Sequence, residues 1–158
     1  MTGQDKKFMM RAIELARGGM ESGLGGPFGC VVVKNGEIVG EGSNQVTSTN
    51  DPTAHAEIVA IRDACKNLGT FQLDGCTIYT SCEPCPMCLG AIYWSRPSEI
   101  FFAATQVDAA GVGFDDEHFY RELGKPNDER QLPMVNLLRH EAQKVFADWA
   151  AKVDKTKY

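Results

Sequence analysis

At 158 residues the chain has the length of one ordinary domain, enough to bury roughly 68–70% of its unfolded surface. Its 43% hydrophobic and 23% charged content is that of a soluble globular protein, and its longest apolar stretches, such as residues 100–105, are far too short to span a bilayer. A net charge of −5 argues against a protein built mainly to grip polyanionic nucleic acid.

Residues 1–11 are polar and lack the charged-then-apolar order of a secretory leader. Six cysteines without an export signal fit a reducing compartment, where thiols bind metal or pack instead of pairing. The expected location is the cytoplasm, with neither a membrane nor a nucleic acid as partner.

A helix is expected over residues 5–17, where Phe8, Met9, Ala12, Ile13 and Ala16 recur at three- and four-residue spacing, with Gly18-Gly19 as its stop. A glycine-rich stretch at 23–27 gives way to a β-branched run over 28–34. Asn35-Gly36 is a two-residue hairpin signal, and residues 37–42 return antiparallel. Asp51-Pro52 offers an N-cap and a first-turn proline for a helix through about Leu68, ended by Gly69. Residues 76–80 read as a short buried strand, Pro84 or Pro86 opens the next helix through about Ser95, and 99–104 is another strand. Beyond Gly113 come a helical piece near 116–123, an apolar run at 132–138, and a last helix striped by Val145, Phe146 and Trp149. Strands alternating with helices argue for an α/β fold with helices on both faces of a sheet.

The chemistry concentrates in His55-Ala56-Glu57 and, 27 residues on, Pro84-Cys85-Pro86-Met87-Cys88. His55, Cys85 and Cys88 are good zinc ligands, and three protein ligands leave a tetrahedral ion one position for water, as catalytic sites do. Such a water ionises near neutral pH, and Glu57 is the group to carry its protons. Both halves of the motif sit where a helix begins, and helix N-termini favour anionic ligands and thiolates. One difficulty arises: His55 and Glu57 are two residues apart and would point to opposite sides of a regular helix. They converge only if the site lies at the helix end.

Cys82-Glu-Pro-Cys85 is a competing C-x-x-C. The Cys85/Cys88 pair is preferred because it starts inside a helix, and Cys82 is expected to pack or to present backbone near the site. Cys30, Cys65 and Cys76 read as small buried hydrophobes.

The combination H-x-E with P-C-x-x-C is the signature of zinc nucleobase deaminases. Over nearly its whole length the chain resembles guanine deaminases of the small bacterial type, within the cytidine-deaminase-like superfamily. The stretches that carry the likeness are Gly25-Gly-Pro-Phe-Gly29, Asn50-Asp-Pro-Thr-Ala-His-Ala-Glu57, Thr80-Ser-Cys-Glu-Pro-Cys-Pro-Met-Cys-Leu-Gly-Ala-Ile-Tyr-Trp94, Gly113-Phe-Asp-Asp116 and the C-terminal Tyr158. The resemblance implies a three-layer α/β/α sandwich around a mixed five-stranded sheet. It also implies one Zn²⁺ per subunit and hydrolysis of guanine to xanthine and ammonia.

For the substrate pocket the resemblance implies Phe28 as the stacking ring, Asn44 as an amide reading the purine edge, Ala56 and Trp94 in the wall, and Asp116 as the carboxylate that accepts from guanine's donors. By residue type alone, Phe28 and Trp94 are as readily core residues, Asn44 is a turn residue, and Asp115 and Asp116 form a solvated pair. Asp115 thus stays open as an alternative to Asp116. The resemblance further implies a homodimer in which the segment from about 138 to 158 is exchanged, so that Tyr158 covers a site in its own or the neighbouring subunit. Three alternatives stay in play: a tRNA adenosine deaminase, a cytosine or cytidine deaminase, and a binding module in which zinc only staples the fold.

Overall fold

Along β1 (Gly29–Lys34), Val31 and Val33 point one way and Cys30 and Val32 the other, and all four are buried. A strand apolar on both sides requires a cover on both sides. One cover is α1 (Gly3–Glu21), whose Phe8 joins Val31, Val33 and Tyr79. The other is α3 (Ala56–Leu68) with α4 (Pro86–Ser95); Ala56, Ala60, Ala64 and Ile92 close over Cys30, Val32 and Ile78. The described residues of this computed structural model are 3–114 and 116–158.

The sheet runs β2-β1-β3-β4. β2 (Glu37–Ser43) and β3 (Cys76–Cys82) flank β1 antiparallel, and β4 (Glu99–Ala104) lies parallel to β3. The Asn35-Gly36 turn takes positive φ at both residues, as its hairpin requires. A mixed sheet is therefore present, with four strands among the described residues instead of the expected five. At the end of β4, Thr105 forms a capping box with Asp108 and turns the chain into α5 (Gln106–Ala110). The apolar run at 132–138 forms no ladder.

Two other expectations are corrected. Gly18-Gly19 does not stop α1, which continues to Glu21. Gly19 is instead buried against the sheet, where a Cβ would lie 2.8 Å from the Cβ of Ser43, so this glycine serves close approach and not termination. Nor does Asp51-Pro52 open α3. Asp51 Oδ1 accepts from both the backbone N–H and the hydroxyl of Thr53, and this local turn delays the helix to Ala56. A single helical turn, α2 (Val46–Thr49), lies before this local turn, between β2 and Asp51.

α3 lies unusually close to the sheet. A Cβ on Gly42 would fall 2.3 Å from the carbonyl oxygen of Ala56 and 2.6 Å from the nitrogen of Ala60. Glycine on the strand and alanine on the helix let the two backbones approach, and this fixes where α3 begins.

The chain divides into two compact units, the first ending at Phe119 and the second running Tyr120–Tyr158. In the second, the Arg130 guanidinium donates to the carbonyls of Glu122, Leu123 and Lys125, closing the turn that follows α6 (Asp116–Leu123). α7 (Arg139–Ala151) follows, and every one of its residues is exposed.

Candidate active site

His55 and Cys85 are the N-caps of α3 and α4, with extended backbone at each. The difficulty of the two-residue spacing disappears here: His55 precedes the helix, so its side chain is not bound by helical periodicity, while Glu57 is the second helical residue. Pro86 occupies the first position of α4, where its missing N–H is no loss, and Cys88 follows one turn from the cap. His55 Nδ1 stands 3.6 Å from Cys85 Sγ and 3.5 Å from Cys88 Sγ, and the three ligand atoms lie within 4.8 Å of one another.

This donor set fits zinc. A tetrahedral ion with Zn–N near 2.0–2.1 Å and Zn–S near 2.3 Å holds nitrogen and sulfur about 3.6 Å apart, the spacing found at both pairs. The Cys85 thiol is lowered to about 4, chiefly by the hydrogen bond from Cys88 and also by that with His55, against the opposing effect of burial. Cys88 is raised in turn by that hydrogen bond and by burial. His55 is raised by its bond to Cys85.

Glu57 is 6% exposed, and burial raises its pKa above the usual carboxylate value. Thr80 Oγ1 donates to Glu57 Oε1 at 3.2 Å. Cys82 stands apart from the ligand cluster. Its thiol is directed to the Thr105 carbonyl and is held protonated, pushed up to about 11 mainly by burial.

A cavity of about 320 Å³ opens beside the cluster, bordered by His55, Glu57 and Cys85 and by Phe28, Asn44 and Asp116. Phe28 meets Phe114 edge to face, with ring centroids 4.8 Å apart. A Cβ on Gly26 would come within 3.1–3.2 Å of both rings, so glycine there permits the pair. Asn44 is 5% exposed, and its Oδ1 accepts from the backbone N–H groups of Gly26 and Val46, both at 3.2 Å. With the oxygen so occupied, the remaining polar group of the amide is Nδ2, a donor only.

The remaining expected residues fall elsewhere. Ala56 is fully buried under the sheet as the first residue of α3. Trp94 lies on α4, 66% exposed, and is not among the described residues lining the cavity. Tyr158 belongs to the second unit and is 67% exposed. Asp115 lies outside the described residues. Phe114, Thr80, Glu83, Val46 and Thr47 had no role assigned from sequence, though all but Thr80 line the cavity. The one available signal was Phe114, an apolar residue set between Gly113 and two acids.

Comparison with known proteins agrees with this geometry. Residues 2–104 match the family model described as the cytidine and deoxycytidylate deaminase zinc-binding region. A guanine deaminase of Bacillus subtilis is 54% identical over 151 residues, 96% of this chain and 97% of that protein. The X-ray structure of guanine deaminase from Bacillus subtilis superimposes with a TM-score of 0.95 at 52% identity, covering 100% of this chain and 99% of that one. A tRNA-specific adenosine deaminase of Aquifex aeolicus is 41% identical over 66% of this chain and 69% of its own length.

Proposed function

This chain belongs to the zinc-dependent nucleobase deaminases, and within them to the guanine deaminases; from that premise we propose that it hydrolyses guanine to xanthine and ammonia. The observation that carries the reading is the meeting of one imidazole, two sulfurs and a buried carboxylate at the wall of a cavity edged by an amide donor and a carboxylate acceptor. Zinc held by His55, Cys85 and Cys88 would polarise a water so that it attacks near neutral pH.

Glu57 is assigned the proton transfers: it takes one proton from the attacking water and gives it to a ring nitrogen. It then takes the second from the hydroxyl now bonded to the ring carbon and gives it to the amine, which leaves as ammonia as the carbonyl forms. Its burial supports this, because a buried carboxylate with a raised pKa takes up a proton more readily than an exposed one. Phe28, held by Phe114, offers the ring surface. Asn44 Nδ2 is assigned to an acceptor on the purine edge and Asp116 to neighbouring donors. Guanine presents both kinds of group, and a base with the opposite pattern would leave buried polar groups unpaired, which discriminates strongly. Ala56 and Trp94 are placed in the wall on the strength of the family likeness.

We propose a cytoplasmic homodimer in which residues 138–158 are exchanged and Tyr158 of the partner subunit covers the cavity. The support is α7 itself, whose Val145, Phe146 and Trp149 are 67%, 74% and 43% exposed and so present apolar surface for a cover. Against tRNA as substrate stand the net charge of −5 and an alignment with the tRNA-specific relative that spans two-thirds of the chain, where the guanine deaminase spans nearly all. Against a merely structural zinc stands the ligand set, three where closed sites use four.

The test is ammonia release from guanine, cytosine, cytidine, adenosine and tRNA, with zinc measured on the same sample. Turnover of guanine with about one zinc per chain is expected; release from adenosine in tRNA and none from guanine would overturn the assignment.

A further inference from the structure

The chemistry proposed for Glu57 needs one oxygen to meet three partners in turn, and a glutamate side chain has three rotatable bonds with which to miss them. Something must hold it. Thr80, in the central strand β3 and 1% exposed, donates its hydroxyl to Glu57 Oε1 at 3.2 Å, with both groups buried. Thr80 is not among the described residues lining the cavity, whereas Glu57 is, so the bond grips the carboxylate from behind. On β1 the residue paired with Thr80 is Cys30, a fully buried thiol kept neutral by burial, which leaves the hydroxyl as the polar anchor there.

From this arrangement we infer that Thr80 is a positioning residue for the deamination. By tying Oε1 to the sheet it fixes the carboxylate plane, so that Oε2 is the oxygen that moves protons. Thr80 touches neither substrate nor metal ligand, and its effect passes through Glu57. The inference rests on the deaminase reading above. A misplacement of about 1 Å in a reacting group is enough to cost about 100-fold in rate. A buried carboxylate deprived of one donor also loses part of what offsets its desolvation.

The experiment compares wild type, Thr80→Val and Thr80→Ser as zinc-loaded full-length protein. Valine keeps the branched shape and strand preference but removes the hydroxyl; serine restores it. Thr80→Val should lose about 10- to 100-fold in kcat, with KM for guanine within about threefold, zinc content unchanged, and activity recovered to within a few-fold by Thr80→Ser. A kcat close to wild type overturns the inference. So does a loss carried by KM, a loss matched by missing zinc, or a serine variant no better than valine. If the valine variant does not fold, Thr80→Ala removes the same donor and is judged by the same criteria. A wild-type protein that leaves guanine intact overturns the deaminase reading and this role with it; an active wild type beside an indifferent Thr80→Val overturns this role alone.

Discussion

His55 and Cys85 hold the same station in two different helices. Each is an N-cap with extended backbone, φ/ψ −69°/157° at His55 and −65°/166° at Cys85, and neither uses its side chain to cap its own helix. The side chains so released meet 3.6 Å apart. Glu57, to which the proton transfers are assigned, and the second thiol Cys88 then come from the first turns of the same helices.

That division of labour separates metal binding from catalysis. Glu57→Gln should retain its zinc and its fold while turnover falls by roughly three or more orders of magnitude, the loss of general acid–base work at several steps. Metal analysis and single-turnover kinetics on one preparation check this; near-normal turnover would falsify the role.

Asn44 joins an oxygen bonded to two backbone N–H groups to a nitrogen proposed to read the purine, and two substitutions separate them. Asn44→Asp keeps an acceptor for the N–H groups of Gly26 and Val46 but removes the donor, so stability should hold and kcat/KM for guanine should fall by about 10²-fold or more. Asn44→Ala loses both and should cost a further 1–3 kcal/mol or so of stability. Equal Tm values for the two variants would contradict this assignment.

Gly42 tests the link from sheet to site. Gly42→Ala drives a methyl into the Ala56 carbonyl at the start of α3, a clash expected to destabilise by about 1–3 kcal/mol. Because Ala56 lies between His55 and Glu57, weaker zinc retention in a chelator competition should accompany the drop in Tm. Stability loss without any change in zinc retention would show that the helix start is held by other contacts.

The Arg11–Glu41 pair contributes to acid behaviour. Arg11 donates from Nε and Nη2 to the two oxygens of Glu41, at 2.8 and 2.7 Å, and this lowers the Glu41 pKa. A folded-state value below the unfolded one means the contribution is complete above the ordinary Glu value of about 4.3 and disappears as pH falls through the lower, folded value. Both side chains are about one-third or more exposed, so solvent screening limits the pair to about 0.5–1 kcal/mol. Glu41→Gln should therefore lower Tm at pH 7, and the difference should shrink as pH falls below the ordinary Glu value.

The proposed exchange of residues 138–158 has its own test. Removing the last few residues through Tyr158 should cut kcat/KM for guanine by about 10-fold or more, as loss of a water-excluding cover does, while the circular dichroism spectrum is unchanged. Unaltered kinetics would remove Tyr158 from the site.

The metal centre was legible in the sequence because residue type and spacing together carry its chemistry. The helix starts were less so. Asp51-Pro52 has the composition of a helix opening, yet the Asp51 side chain folds back on Thr53, and a side chain cannot serve a local turn and cap a later helix. Gly18-Gly19 was misread because glycine ends helices and also lets them approach a sheet, and only the position of Ser43 distinguishes the two. A fifth strand was expected from likeness to a family, and no periodicity in residues 132–138 supported it. Thr80 and Phe114 acquire meaning only from the faces they share with Glu57 and Phe28, which no linear pattern displays.

Because the reacting groups cluster at the beginnings of α3 and α4, the opposite tips of both rods are remote from the chemistry. Those tips finish in left-handed turns at Gly69 and Arg96. Insertions or fused peptides grafted at either point would leave the catalytic end in place, which gives an engineer two attachment points on an otherwise tightly packed molecule.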